Sequence, residues 1–118
     1  MKYIEQNETA AFHLRLLSKI IDFNQYPLIK LLIESNVTES EFEELMDLLA
    51  GLNNQYVAQK EEGFLDFTLL LIHFAGMLNE KLNPDITIYA LKKEGYYPSL
   101  MDEFIKILSV NEKLNIKR

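Results

Sequence analysis

Two histidines and a cluster of carboxylates are the residues of this 118-residue chain that could do chemistry. His13 and His73 are the only imidazoles, and neither has an Asp or Glu three or four residues away on its own helix. The Glu-x-x-His pairs of di-iron bundles and the His-Glu-x-x-His of zinc proteases are therefore absent. His73 sits inside the most apolar segment, so a hydrogen-bonded core or interface histidine is expected there. The chain has no cysteine, which excludes disulfides and thiolate metal sites and fits a reducing compartment. Four glycines cannot build a phosphate-cradling loop, and no G-x-S-x-G elbow is present.

Glu41, Glu44 and Asp47 share one helical face, the arrangement that holds magnesium between two helices in all-helical nucleotide pyrophosphatases. That chemistry needs a second acidic pair on a facing helix, and the sequence offers no good one. These acids read as a solvated face beside a helix N-terminus, or as an acidic surface for a partner. No catalytic, cofactor-binding or metal residue is expected, and the chain reads as a binding protein rather than an enzyme.

Charge is distributed unevenly. Nine acids between Glu34 and Asp66 face the single Lys60, for −8 within a total of −6, so the remainder carries +2, part of it in Lys113, Lys117 and Arg118. An acidic middle repels phosphate backbones, so nucleic acid is not an expected partner. A helix-turn-helix reading of residues 85–108 fails as well, because Asp102, Glu103 and Lys106 stand where a groove reader needs Arg, Asn or Gln. The apolar run Phe67 to Leu78 would span only about 18 Å as a helix, short of a roughly 30 Å hydrocarbon core. No membrane segment is expected, and the opening MKYIEQNETAAFHLRLL lacks the pattern of a secretory signal. A cytoplasmic location follows as the expectation.

The elements that must position these residues are all helical. The expected architecture is one compact all-α domain over residues 1–118, with about six helices around a central apolar helix running from Phe67 to Lys81. Tyr3, Ala10, Leu14, Leu17 and Ile21 form a narrow stripe on a first helix, expected over 3–22 and able to protrude. Such a seam suits a second copy of the chain, which makes these five residues the candidate self-association surface. Pro27 starts a short helix with Leu28, Leu31 and Leu32 inward, and Asn36 stops it. Thr38 with Glu41 is a capping-box signature for a third helix that buries Phe42, Leu45, Leu49, Leu52 and Tyr56.

Gly63 supplies the left-handed residue that ends the third helix, and Asp66 can cap the fourth. That fourth helix carries Leu69, Leu70, Leu71, Ile72, Phe74, Met77 and Leu78 on every side, so it is expected to be fully surrounded, with Gly76 admitting a close helix crossing. Asn83-Pro84 opens a fifth helix that ends at Gly95. Pro98 opens a sixth with Leu100, Met101, Phe104, Ile105 and Leu108 inward, and a frayed basic tail is expected over 110–118. Gln59, Lys60, His73, Asn79, Glu80, Lys81, Tyr96 and Tyr97 are the candidate contact or pocket residues.

Several short motifs stand in order along the chain: Tyr26-Pro27 with Leu31-Leu32-Ile33, Gln59-Lys60 with Gly63-Phe64, and Phe74-Ala75-Gly76 with Leu78-Asn79-Glu80-Lys81-Leu82. Ala90-Leu91, Gly95, Tyr97, Leu100-Met101 and Phe104-Ile105 complete them. In these pieces, from about Leu16 to Leu108, the sequence resembles the YhaI-like family of small helical proteins from Bacillus-type bacteria. The resemblance implies an all-helical, self-associating cytosolic protein and carries no assigned reaction, ligand or catalytic residue. Function is thus expected to be interaction: self-association through the first helix, and contact with another protein through the acidic third. The alternatives are a small-ligand binder or enzyme with a pocket near Tyr96, Tyr97, His73 and Glu80, and an acidic inhibitor that imitates nucleic acid.

Overall fold

A computed structural model describes the backbone of residues 2–116 and the side chains of residues 7–111. Six α-helices follow one another: α1 Lys2–Ser18, α2 Pro27–Glu34, α3 Glu39–Glu61, α4 Thr68–Met77, α5 Pro84–Lys93 and α6 Pro98–Ile116. A 3-10 turn, Phe23–Gln25, leads into α2, and no strand occurs among the described residues. The all-α reading with six helices stands.

Three of these helices have only eight to ten residues, below the length at which an isolated helix holds itself in water, so their ends and buried faces must supply the stability. Their termini are correspondingly well satisfied. The Thr38 hydroxyl accepts from the Glu41 N–H at 3.1 Å while the Glu41 carboxylate accepts from the Thr38 N–H at 2.9 Å, completing the capping box. Asn83 accepts from the Ile86 N–H at 3.0 Å above Pro84 in the first turn of α5. Asp66 accepts from both the N–H and the hydroxyl of Thr68, at 2.9 and 2.5 Å. Both bonds hold its carboxyl below the ordinary range.

Three helices end by the same device. After α2, α3 and α5, the residues Asn36, Gly63 and Gly95 take positive φ values of 56°, 93° and 86°. In each case two backbone N–H groups fold back to carbonyls of the last turn, Val37 to Leu32, Phe64 to Gln59 and Tyr96 to Leu91 spanning five residues. Tyr97 also has a positive φ, 47°, and sits where Gly95 and Pro98 force the chain from α5 into α6. A bulky aromatic in that region is strained. Tyr96 and Tyr97 both pack on the core, which offsets the strain and gives the two tyrosines a structural role at this corner.

The core forms where α3, α4, α5 and α6 meet. Leu45, Leu49, Leu52 and Tyr56 come from α3, Leu70, Leu71 and Phe74 from α4, Ile88, Ala90 and Leu91 from α5, and Leu100, Met101 and Phe104 from α6, with Leu28 added by α2. Tyr56 meets Phe67 edge-on at 4.9 Å between ring centroids, and Phe74 lies 5.8 Å from Phe104. α5 packs on both α2 and α6 and carries Thr87, Ile88 and Leu91 with no exposure. The Thr87 hydroxyl is satisfied by the Asn83 carbonyl at 2.6 Å, which lets a polar residue sit at the centre.

Four expectations are corrected. α1 ends at Ser18 rather than Asp22: Lys19 and Ile20 make i to i−3 bonds to Leu16 and Leu17, and the Ser18 hydroxyl folds back on the Arg15 carbonyl at 2.6 Å. α4 ends at Met77, four residues before Lys81, because Leu78 is extended and the Asn79 side chain takes the Lys81 N–H at 2.9 Å, a local bond that competes with the helix. That helix is also not enclosed. It packs against α3 and α6 on one side, while Leu69, Ile72, His73 and Met77 lie exposed on the other. Among the described residues no other element comes within 4 Å of where a side chain at Gly76 would begin, so no described helix crosses there. α6 itself runs to Ile116, and Lys117 and Arg118 of the basic tail lie outside the described residues.

Two isoleucines of α5 test this packing, since Ile88 is fully buried and Ile86 is 58% exposed. Ile88→Ala is expected to cost about 2–5 kcal/mol in urea unfolding, and Ile86→Ala under about 1 kcal/mol. Equal losses at both positions would refute the arrangement.

Candidate functional site

Most of the candidate residues fall into three separate places, with His73 apart from them on α4. The first is α1 and the turn after it. Every described residue from Asn7 to Asp22 is exposed, including Ala10, Leu14, Leu17 and Ile21 of the expected seam and also Phe12, Leu16 and Ile20. The side chain of Tyr3, the fifth seam residue, lies outside the described residues. Leu14, Arg15 and Ser18 line one wall of an apolar groove of about 300 Å³, whose other wall is Phe23, Lys30, Ile33 and Glu34. The carboxyl end of α1 is thereby set over α2, and Leu14 faces the chain's own groove as well as solvent. Arg15 lies 5.7 Å from the centre of the Phe12 ring, a cation–π placement on the same helix.

The second place gathers Glu41, Asn79 and Lys81. Lys81 Nζ donates to Glu41 Oε1 at 2.7 Å and to the Asn36 carbonyl at 3.1 Å, and Asn79 Nδ2 donates to Glu41 Oε2 at 2.8 Å. One carboxylate therefore joins the end of α2, the start of α3 and the turn between α4 and α5. The Lys81 ammonium first, then the Thr38 N–H and the Asn79 amide, bring the Glu41 carboxyl down from 4.5 to about 2. Glu41 is thus engaged in holding helices together, apart from the solvated acids Glu43, Glu44 and Asp47 beside it. The adjoining cavity, lined by Leu45, Leu48, Met77, Leu78 and Leu82 besides the polar groups, is only about 60 Å³. It can hold no more than a water or two.

The third place is an open groove of about 680 Å³ between the carboxyl half of α3 and the start of α6. Asn53, Tyr56, Val57, Lys60 and Glu61 form one wall, and Tyr97, Pro98 and Ser99 the other. Lys60 lies 5.6 Å from the Tyr56 ring centre and donates to its hydroxyl at 3.4 Å, which anchors the ammonium at the groove edge. Gln59 is half-buried, with its carbonyl closing the end of α3, and Glu80 is exposed in the turn after α4. Lys60 and Tyr97 come together in this groove. His73 lines neither this groove nor the cavity at Glu41 and stands on the open face of α4, and Asn79 and Lys81 belong with Glu41.

Sequence reasoning missed a residue that reaches across the fold. Glu94, the last residue before the Gly95 turn, accepts from the N–H of Leu28 and, at 3.2 Å, from that of Ile29, capping α2 from across the fold. Tyr26, which precedes α2, supplies no side-chain cap of its own. The neighbouring Lys93 donates to the Asn24 carbonyl at 3.2 Å, and Lys92 pairs with Asp102 of α6 at 2.8 Å. An acid at the carboxyl end of a helix opposes the helix dipole, and that anomaly was the available signal.

No three His, Asp or Glu side chains converge among the described residues, and no described helix is long and apolar enough to cross a membrane. Exposed apolar helix faces and one polar groove define a small all-α protein built of short, cross-capped helices. The chain belongs to the family described as protein of unknown function (DUF1878), whose model matches residues 1–109. The match takes in the first dozen residues, which the motif-based resemblance left out.

The Glu41 clamp makes a pH prediction. Because folding lowers this carboxyl from 4.5 to about 2, its contribution is complete above about pH 4.5 and disappears as pH falls toward 2. The wild-type melting temperature should drop across that interval more steeply than that of Glu41→Gln, as followed by circular dichroism. Parallel curves for the two proteins would show that the clamp contributes nothing.

Proposed function

We propose that this protein works by interaction, as a helical protein that self-associates through α1. The reading is supported chiefly by the exposure of α1 and the turn after it: Phe12, Leu14, Leu16, Leu17, Ile20 and Ile21 are all exposed within ten residues. Scattered apolar residues are normal on a surface, whereas a contiguous set of this size marks a contact area. A second copy that lays its own α1 along this helix removes both sets from water at once. The acidic face of α3, with Glu43, Glu44 and Asp47 exposed, then remains free for another protein partner. We further place the chain with the YhaI-like proteins of Bacillus-type bacteria, on the ordered motifs from Tyr26 to Ile105, and in the cytoplasm.

Light scattering across a dilution series provides the test. The wild type is expected to be an oligomer that Leu14→Asp or Leu17→Asp weakens, without loss of helicity because both positions are exposed. A monomer at every concentration would overturn the proposal.

A second reading rests on the groove between α3 and α6, whose roughly 680 Å³ is of small-ligand size and whose Lys60 and Tyr97 offer a cation and an aromatic hydroxyl. It makes the protein a binder of small anions. Phosphate or a nucleotide should then raise the melting temperature of the wild type and not of Lys60→Ala. Identical melting curves with and without these compounds would remove this reading.

A further inference from the structure

The backbone around α2 is fastened from outside its own segment. Pro27 has no N–H, the Lys30 N–H goes to the Tyr26 carbonyl at 3.0 Å, and the two donors left at the start of α2, on Leu28 and Ile29, both end on Oε2 of Glu94. The flanking main chain is held in the same manner. Lys93 donates to the Asn24 carbonyl at 3.2 Å and Lys81 to the Asn36 carbonyl at 3.1 Å. Side chains from the end of α5 and the turn after α4 thus tie this segment down at its start, at the head of α2 and at its end.

Apolar burial adds little to these ties. Leu28 is the one buried residue of α2, Leu31 and Leu32 are partly covered, and Ile29, Lys30, Ile33 and Glu34 are exposed. Every other buried apolar residue among those described lies between Leu45 and Phe104. α3 needs nothing from α2 in order to begin, because Thr38 and Glu41 close its capping box between themselves. The junction is clean: the Val37 N–H turns back to the Leu32 carbonyl, and the Thr38 N–H turns forward to the Glu41 carboxylate. A segment with so little buried apolar surface, held by exposed or half-exposed polar bonds, belongs at the low end of local stability.

We infer that residues 23–37 form a strap over α5 that opens as one unit, hinged between Val37 and Thr38, while α3 to α6 stay folded, and that the Glu94 carboxylate is its latch. Opening does two things at once. It uncovers the side of α5 on which α2 packs, and it withdraws Phe23, Lys30, Ile33 and Glu34 from the groove beneath the end of α1. The setting of α1 is thereby coupled to one carboxylate oxygen at the far end of α5.

Native-state hydrogen exchange of the full chain in low urea tests the strap. In the wild type the amides of Leu31 to Val37 are expected to exchange as a group, faster than those of Leu49 to Tyr56 in α3. Their urea dependence should be weaker too, since opening the strap exposes only part of the surface that unfolding exposes. Glu94→Ala removes two bonds to a charged acceptor and should speed the strap amides roughly ten- to hundredfold. Leu28→Ala should speed the same group. Leu70→Ala is the decisive control, because α4 packs on α3 and α6 and its core is present whether the strap is open or closed. This variant should speed exchange in α3 and leave the strap amides at their wild-type rate. Strap amides that share the rate and urea dependence of α3, or that Leu70→Ala speeds as much as α3, would overturn the opening unit. Unchanged strap exchange in Glu94→Ala would overturn the latch. Should that variant fail to fold, Glu94→Gln, which keeps one acceptor and loses the charge, answers the same question by the same readout.

Discussion

The fold depends on one carboxylate acting at long range. Glu94 stands at the end of α5 and closes the amino terminus of α2, 66 residues earlier in the chain. α2 is eight residues long and cannot persist alone, since nucleating so short a helix costs more than its few internal bonds return. Its first N–H groups have no partner on their own side, because Tyr26 contributes no cap and Pro27 contributes no donor. The other end of α2 is held from a different element, by Lys81 at the Asn36 carbonyl. A short helix closed at both ends by residues distant in sequence can form only when the rest of the domain has assembled around it. This ties α2, and the α1 groove that it walls, to the integrity of α5 and of the Glu41 clamp.

The same logic explains why the most apolar helix is not the most buried one. α4 and α5 are both ten residues long, and α4 is by far the more hydrophobic in sequence. Yet α5 supplies more of the fully covered positions, with Thr87, Ile88 and Leu91 at zero exposure. Burial follows position in the packing, and α5 is flanked by α2 and α6 and tied down through Lys92, Lys93 and Glu94. α4 is flanked on one side only. A helix that is hydrophobic all round reads as a buried one, yet Leu69, Ile72 and Met77 stay exposed on the side turned away from α3 and α6.

The legible part of this fold was local. Pro27, Thr38 with Glu41, Asn83-Pro84 and the Gly63 and Gly95 stops act within a few residues of where they are written, so their helices could be placed from the sequence alone. The inward faces of α3 and α6 were legible for the same reason, since helical periodicity is a local property. What could not be read was tertiary. Apolar spacing does not tell whether the second face of α4 meets its own domain or another molecule, and Glu94 looks like any exposed acid until α2 is seen beside it. The Asn79 turn that shortens α4 depends on one side-chain bond competing with a helix, a balance that propensity alone does not decide. Of the candidate contact residues, Lys60 and Tyr97 meet across a groove and Asn79 and Lys81 join Glu41, whereas His73 stands apart on the α4 face. Groupings of that kind are set by how helices cross.

His73 shows how these levels connect. On the sequence it was a histidine within the most apolar segment, which implied a hydrogen-bonded core or interface position. In the fold it lies exposed beside Ile72 and Gly76, and among the described residues no side-chain hydrogen bond holds it. His73 is the one ring nitrogen base on a face whose other exposed side chains, Leu69, Ile72 and Met77, are apolar. The residue that first suggested catalysis acquires its physical meaning from the surface on which the fold leaves it.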